Sequence, residues 1–159
     1  MHLETFIYTF YKLWEEERKR FVRGRKAEEE LREFLRQRGY SCGKITAPVE
    51  IDVAIPPSKK PSEVRVVMPV RTGVRRDLVK RAKEFSRECD EFRRNFPNAK
   101  VVVMFRIPRH ELDRKDEIRG VIAEQRAGLM PYDGIFFQDE LQELIRKLEM
   151  WRVPKSNSY

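Results

Sequence analysis

Residues 64–71 read VRVVMPVR, and the reading of this stretch decides the fold. Val64, Val66, Val67, Met68 and Val70 give it the composition of a strand. Pro69 does not suit a central strand, because proline supplies no backbone donor, and Arg71 brings a charge to the place where the run leaves the sheet. The strand must therefore be at an edge, bulged, or finished by Pro69. Upstream, VEIDVAI (49–55) alternates Val49, Ile51, Val53 and Ile55 with Glu50, Asp52 and Ala54. That period of two predicts another strand. The link between them, PPSKKPS (56–62), is rich in turn residues, so the two runs read as a hairpin.

Working outward, LETFIYTFYKLWEEERK (3–19) spaces Leu3, Phe6, Ile7, Phe10, Leu13 and Trp14 as an amphipathic helix with a wide apolar face. GRKAEEELREFLRQRGY (24–40) predicts a second helix with Ala27, Leu31, Phe34 and Leu35 on one side. Gly24 separates the two helices and Gly39 sits where a C-cap belongs. A long helix follows over 76–96, then KVVVMF (100–105), a continuous apolar run expected of a strand buried on both faces. A helix over about 113–127 ends at Gly128, GIFF (134–137) is another short strand, and Asp139 with Gln142 has capping-box spacing before a last helix. This order predicts an α/β protein with a mixed central β-sheet flanked by helices. The expected organisation is an N-terminal amphipathic helix (1–22), one α/β domain (23–153) and a polar tail (154–159).

The 159 residues suit one domain. Charged residues make up 38%, against about 25% in ordinary domains, yet 40% are hydrophobic and 11% aromatic, so a folded core is expected. The density of Glu, Arg and Lys is the composition of a thermophile. Lys and Arg outnumber Asp and Glu by 34 to 26, for a formal charge of +8, which suits a polyanionic partner. Cys42 and Cys89 lack metal-site or disulfide spacing: Cys89 reads as core packing and Cys42 as a loop thiol. No apolar run reaches membrane-spanning length and no signal peptide is visible, so a soluble cytoplasmic protein is expected.

The element order, together with AEEELREFLRQRGY (27–40), VEIDVAI (49–55) and VRVVMPVRTG (64–73), resembles the PD-(D/E)XK nuclease superfamily, notably archaeal relatives of restriction enzymes and Holliday junction resolvases. The likeness spans roughly residues 25–137 and implies a restriction-endonuclease-like fold. In that family carboxylates hold a divalent metal that activates water and clamps the scissile phosphate. Carried over residue by residue, Glu28 matches the acid of the opening helix and Asp52 the metal-binding aspartate. The family's Glu-x-Lys falls on Pro69 and Arg71. Proline offers no ligand, and arginine stays protonated. Two readings stay open. A rearranged site could use Glu28, Glu50 and Asp52, with Asp52 and Glu50 as ligands of Mg2+ or Mn2+, and Glu84 or Glu88 as migrated acids. Alternatively, Arg71 takes the place of the metal and pairs with Asp52, in which case no cofactor is needed.

On the helix over 76–96, Leu78, Ala82, Phe85, Cys89, Phe92 and Phe96 share one side at about 100° per residue. Arg76, Lys80, Lys83, Arg87 and Arg94 lie opposite, and Arg71 and Arg75 extend this basic row. Such a row suits DNA or RNA phosphates, and a solvated face is its plain alternative. The expectation is a nucleic-acid-binding protein with a degenerate catalytic site. The alternatives are a metal-dependent endonuclease, or a structural subunit joining a second copy or a paralogue through the N-terminal helix.

Overall fold

The structure, a computed structural model, describes residues 3–73, 78–124 and 132–156, and the side chains of 6, 10 and 13–25 are not among those described. It opens with one helix, α1 (Leu3–Gln37), in place of the two helices expected on either side of Gly24. One interior glycine costs a helix about 1 kcal/mol, and the Glu, Arg, Lys and Ala around it are strong helix formers that carry it through. Gly39 closes α1 as expected. It stands at φ 91°, with Tyr40 N donating to Leu35 O (3.1 Å) and Gly39 N to Arg36 O (2.9 Å), the paired bonds of a Schellman cap.

Six strand segments build one mixed sheet. β1 (Gly43–Ile45), which the sequence pattern did not reveal, lies antiparallel to β2 (Ile51–Ile55). β2 in turn lies antiparallel to β3 (Val66–Met68), with Val53 opposite Met68, as the hairpin reading expects. β4 (Val70–Thr72) follows after Pro69. β3 and β4 both run parallel to β5 (Lys100–Arg106), and the register is the same on either side of Pro69: Val67 pairs Val101, and Val70 pairs Met104. They are one course of chain interrupted at a proline. Met104 and Phe105 also pair with β6 (Gly134–Phe137), so β6 covers the other edge of β5.

Both faces of the sheet are covered. Leu31 and Leu35 of α1 pack with Leu144, Ile145 and Leu148 of α4 (Leu141–Met150) on Val53, Met68, Val102 and Met104. On the other face, α2 (Leu78–Asn95) presents Cys89 and Phe92 to Val67 and Val101, and Ala82 and Phe85 to Val103 and Phe105. Ile118 and Ile122 of α3 (Lys115–Glu124) complete that layer. Burial on both sides explains why KVVVMF is apolar throughout. The helix expected to end at Gly128 is described only as far as Glu124.

One local expectation is corrected. Asp139 does not cap α4: Glu140 holds the N-cap position with no side-chain cap bond. Asp139 instead accepts from Lys115 Nζ at 2.8 Å, and Glu140 takes Phe137 N–H (3.1 Å) and Arg119 Nη2 (2.8 Å). Cys42 lies in the loop after α1, as expected, and is buried there, its Sγ donating to Arg32 O at 3.3 Å. Burial also pushes its thiol pKa up.

Candidate functional site

Asp52 enters β2 one residue after the strand begins, and Arg71 lies in β4 just past Pro69. The antiparallel register that sets Val53 opposite Met68 brings the two side chains together at the end of that ladder. Arg71 Nη1 is 3.4 Å from Asp52 Oδ2 and 3.1 Å from Val70 O. Its Nη2 contacts Glu88 Oε1 of α2, and its guanidinium lies 5.5 Å from the centroid of the Phe85 ring. Asp52 Oδ2 also accepts Val70 N–H at 2.9 Å. The arginine is thus held by two carboxylates, a carbonyl and an aromatic face. Burial pushes its pKa down and the charge of Asp52 opposes that shift; a guanidinium stays protonated regardless.

Glu28 of α1 adjoins this group. Its carboxyl is pushed up first by burial and then by the charge of Asp52. Arg32, one turn on, stands 3.9 Å from Glu28 and donates to Asp52 O at 2.9 Å. Glu28, Asp52, Arg71 and Glu88 therefore meet. Glu50 lines the same cleft, yet its carboxylate is engaged by Lys44 Nζ at 2.9 Å. Of the two candidate migrated acids, α2 turns Glu88 toward the cleft and leaves Glu84 exposed.

The cleft, of about 340 Å³, is lined by Glu50, Asp52, Pro69, Arg71, Glu88 and Glu91, together with Val49 and Phe92. Four acids face one arginine there. Among the described residues no group of three or more His, Cys, Asp or Glu could hold a metal ion. The donor set does not fit a divalent cation, because the guanidinium stands between Asp52 and Glu88, where a shared ion would have to sit. Behind the cleft, burial pushes the phenol of Tyr132 up, and its hydroxyl is buried without a hydrogen-bond partner among the described residues. No spacing in the sequence pointed to Tyr132.

The basic row has a separate location. Lys80, Lys83, Arg87 and Arg94 are all exposed on α2, within about 60° of arc and over roughly 21 Å of helix, opposite the buried side. None of the four forms an ion pair among the described residues. Other arginines are engaged: Arg93 Nη2 binds Asp133 Oδ2 at 3.0 Å and Arg81 Nη1 donates to Gly73 O at 3.0 Å. Glu84 and Glu91 lie on the helix between the row and the cleft. Arg75 and Arg76 lie outside the described residues, as do the side chains of Phe6, Phe10 and Trp14.

No helix among the described residues is long and apolar enough to cross a membrane. No protein-family model matches this chain, and no curated protein or solved structure is significantly similar to it.

Proposed function

We propose that this chain is a nucleic-acid-binding protein of restriction-endonuclease-like architecture, with an arginine in the catalytic position and its phosphate contacts on α2. The observation that carries the reading is the row Lys80, Lys83, Arg87 and Arg94, four exposed cations on one helix face without ion-pair partners among the described residues. Cations at steps of about one to two turns suit successive backbone phosphates, and each contact releases counterions. The cleft is a poor seat for a polyanion, since its acids outnumber its base. It supports the degenerate-site half of the reading: the acid on β2 is spent on Val70 N–H and Arg71.

The test is fluorescence anisotropy with labelled DNA and RNA of single- and double-stranded form, without divalent metal. Four phosphate contacts give a log–log salt slope near −3.6 on duplex, a loss of roughly 150-fold between 50 and 200 mM salt. Reversal of Lys80, Lys83 and Arg87 to Glu abolishes the binding. Absence of low-salt binding, or binding that survives the reversal, refutes the reading. Cleavage in Mg2+ or Mn2+ that disappears in Asp52→Ala replaces it with the endonuclease alternative.

A further inference from the structure

The first part of α1 lies uncovered. Every described side chain from Leu3 to Lys12 is exposed, although Leu3 (73%), Ile7 (57%), Tyr8 (63%) and Tyr11 (53%) are large and apolar in whole or part. Further along, Ala27, Leu31 and Leu35 anchor the helix to the domain, and Glu30 Oε2 meets Arg106 Nη1 at the end of β5 (2.8 Å). A helix whose large apolar side chains stand in water is marginal, so the described side chains of the leading segment call for a cover.

The spacing of its residues says what that cover is. Leu3, Ile7 and Tyr11 recur every fourth residue and form one ridge, and Glu4, Tyr8 and Lys12 form the ridge beside it. The first ridge is apolar from end to end. The second runs acid, aromatic, base, with Lys12 Nζ 5.6 Å from the Tyr8 ring centroid. Glu4 and Lys12 stand roughly 12 Å apart along the axis and cannot neutralise each other within one chain. Neither has an ion pair among the described residues.

This pattern complements itself in one orientation only. Antiparallel copies related by a two-fold axis beside Ile7 bring Leu3 against the partner's Tyr11 and Glu4 toward the partner's Lys12, twice over. Parallel copies would set acid on acid and base on base. An apolar groove would leave both charges without a counterpart. We infer that this chain forms an antiparallel two-fold dimer through residues 3–12 of α1. The four side chains offer on the order of 500 Å² per chain, a small interface, so the dimer forms in the micromolar range. The inference is independent of the nucleic-acid reading.

Sedimentation velocity on the full chain, from about 1 to about 100 µM, tests it. A shift from one copy to two is expected, with Ile7→Glu held as a monomer of unchanged helical circular dichroism. Glu4→Lys alone and Lys12→Glu alone each weaken the dimer by about tenfold, because two attractive pairs become repulsive. The double swap Glu4→Lys with Lys12→Glu restores it. The swaps keep every apolar side chain, so they decide the matter even if Ile7→Glu frays the helix. A monomer throughout the range, a dimer unaffected by Ile7→Glu, or single swaps without effect each overturn the inference.

Discussion

Replacing Arg71 with methionine removes one charge from a group of three acids while keeping much of the side-chain length. In the native chain the guanidinium lies 3.4 Å from Asp52, contacts Glu88 and rests on Phe85. Breaking a buried ion pair on one side costs about 3–5 kcal/mol. Here Arg71, Asp52 and Glu88 retain 25%, 18% and 34% side-chain exposure, so water screens part of the repulsion. A loss of about 2 kcal/mol at neutral pH follows. The loss depends on pH with a definite sign. Without the cation, Glu28 faces the charges of Asp52 and Glu88 with less to offset them, so its carboxyl, already raised by burial and by Asp52, rises further in the folded variant. A carboxyl of that kind contributes stability that is complete below its unfolded pKa and disappears as pH rises through its folded pKa. Glu28 already behaves this way in the native chain, through burial and then the charge of Asp52. The variant therefore lies nearest to wild type at about pH 4 and farthest from it above about pH 6. Urea denaturation followed by tryptophan fluorescence at these two pH values reads the difference. An equal loss at both, or a loss below about 0.5 kcal/mol at neutral pH, refutes the idea that Arg71 neutralises the acids.

Three further outcomes follow from individual contacts. Asp133→Ala removes the acceptor of Val101 N–H (2.8 Å) and of Arg93 Nη2 (3.0 Å); it costs about 2 kcal/mol in urea denaturation, and Asp133→Asn costs less because an acceptor remains. Arg152 sits at φ 57° in the turn that ends α4, where Val153 N donates to Leu148 O (3.0 Å). Glycine takes that conformation without strain, so Arg152→Gly raises stability by about 0.5–1 kcal/mol, read as a higher Tm. The degenerate-site reading expects Pro69→Glu with Arg71→Lys to bind Mn2+, measured by isothermal titration; no binding in a folded double variant counts against an ancestral metal site.

Much of the fold was legible because its elements are long or strictly periodic. VEIDVAI, KVVVMF and the apolar side of α2 each carry a signal that tertiary packing reinforces. β1 was not legible, since the three residues GKI are too few to display a period. Gly24 misled because a glycine is punctuation only where no helix formers override it. Asp139 misled because the capping-box spacing cannot reveal that Lys115, distant in sequence, competes for the same carboxylate. At the site, the pairing of Asp52 with Arg71 was one of two open expectations, and it came from the family resemblance rather than from any local pattern. The choice of Glu88 over Glu84 needed the rotational setting of α2 on the sheet, which no local pattern contains. Tyr132 belongs to the same class, as its place behind the cleft comes from packing alone.

The proline in VRVVMPVR explains why these residues meet where they do. In a strand the N–H and C=O of one residue point to the same side. Pro69 O accepts from Met104 N at 3.0 Å, so the donor that proline lacks is one that would have faced β5. The interruption therefore falls on the β5 side, and the shared register of β3 and β4 shows that the chain continues undeflected past it. Toward β2 the ladder ends at Val53 and Met68, and the next donor on that side is Val70 N–H. The Asp52 carboxylate accepts it at 2.9 Å, doing for the strand what a backbone carbonyl would otherwise do. Asp52 is thereby held at the one point where Arg71, following directly, can reach it. Asp52→Asn keeps an acceptor for Val70 but gives up the ion pair, whereas Asp52→Ala gives up both. If the carboxylate serves as a strand terminus, the alanine variant loses about 1 kcal/mol more than the asparagine variant in urea denaturation at neutral pH. Equal losses would instead place the whole effect in the pairing with Arg71.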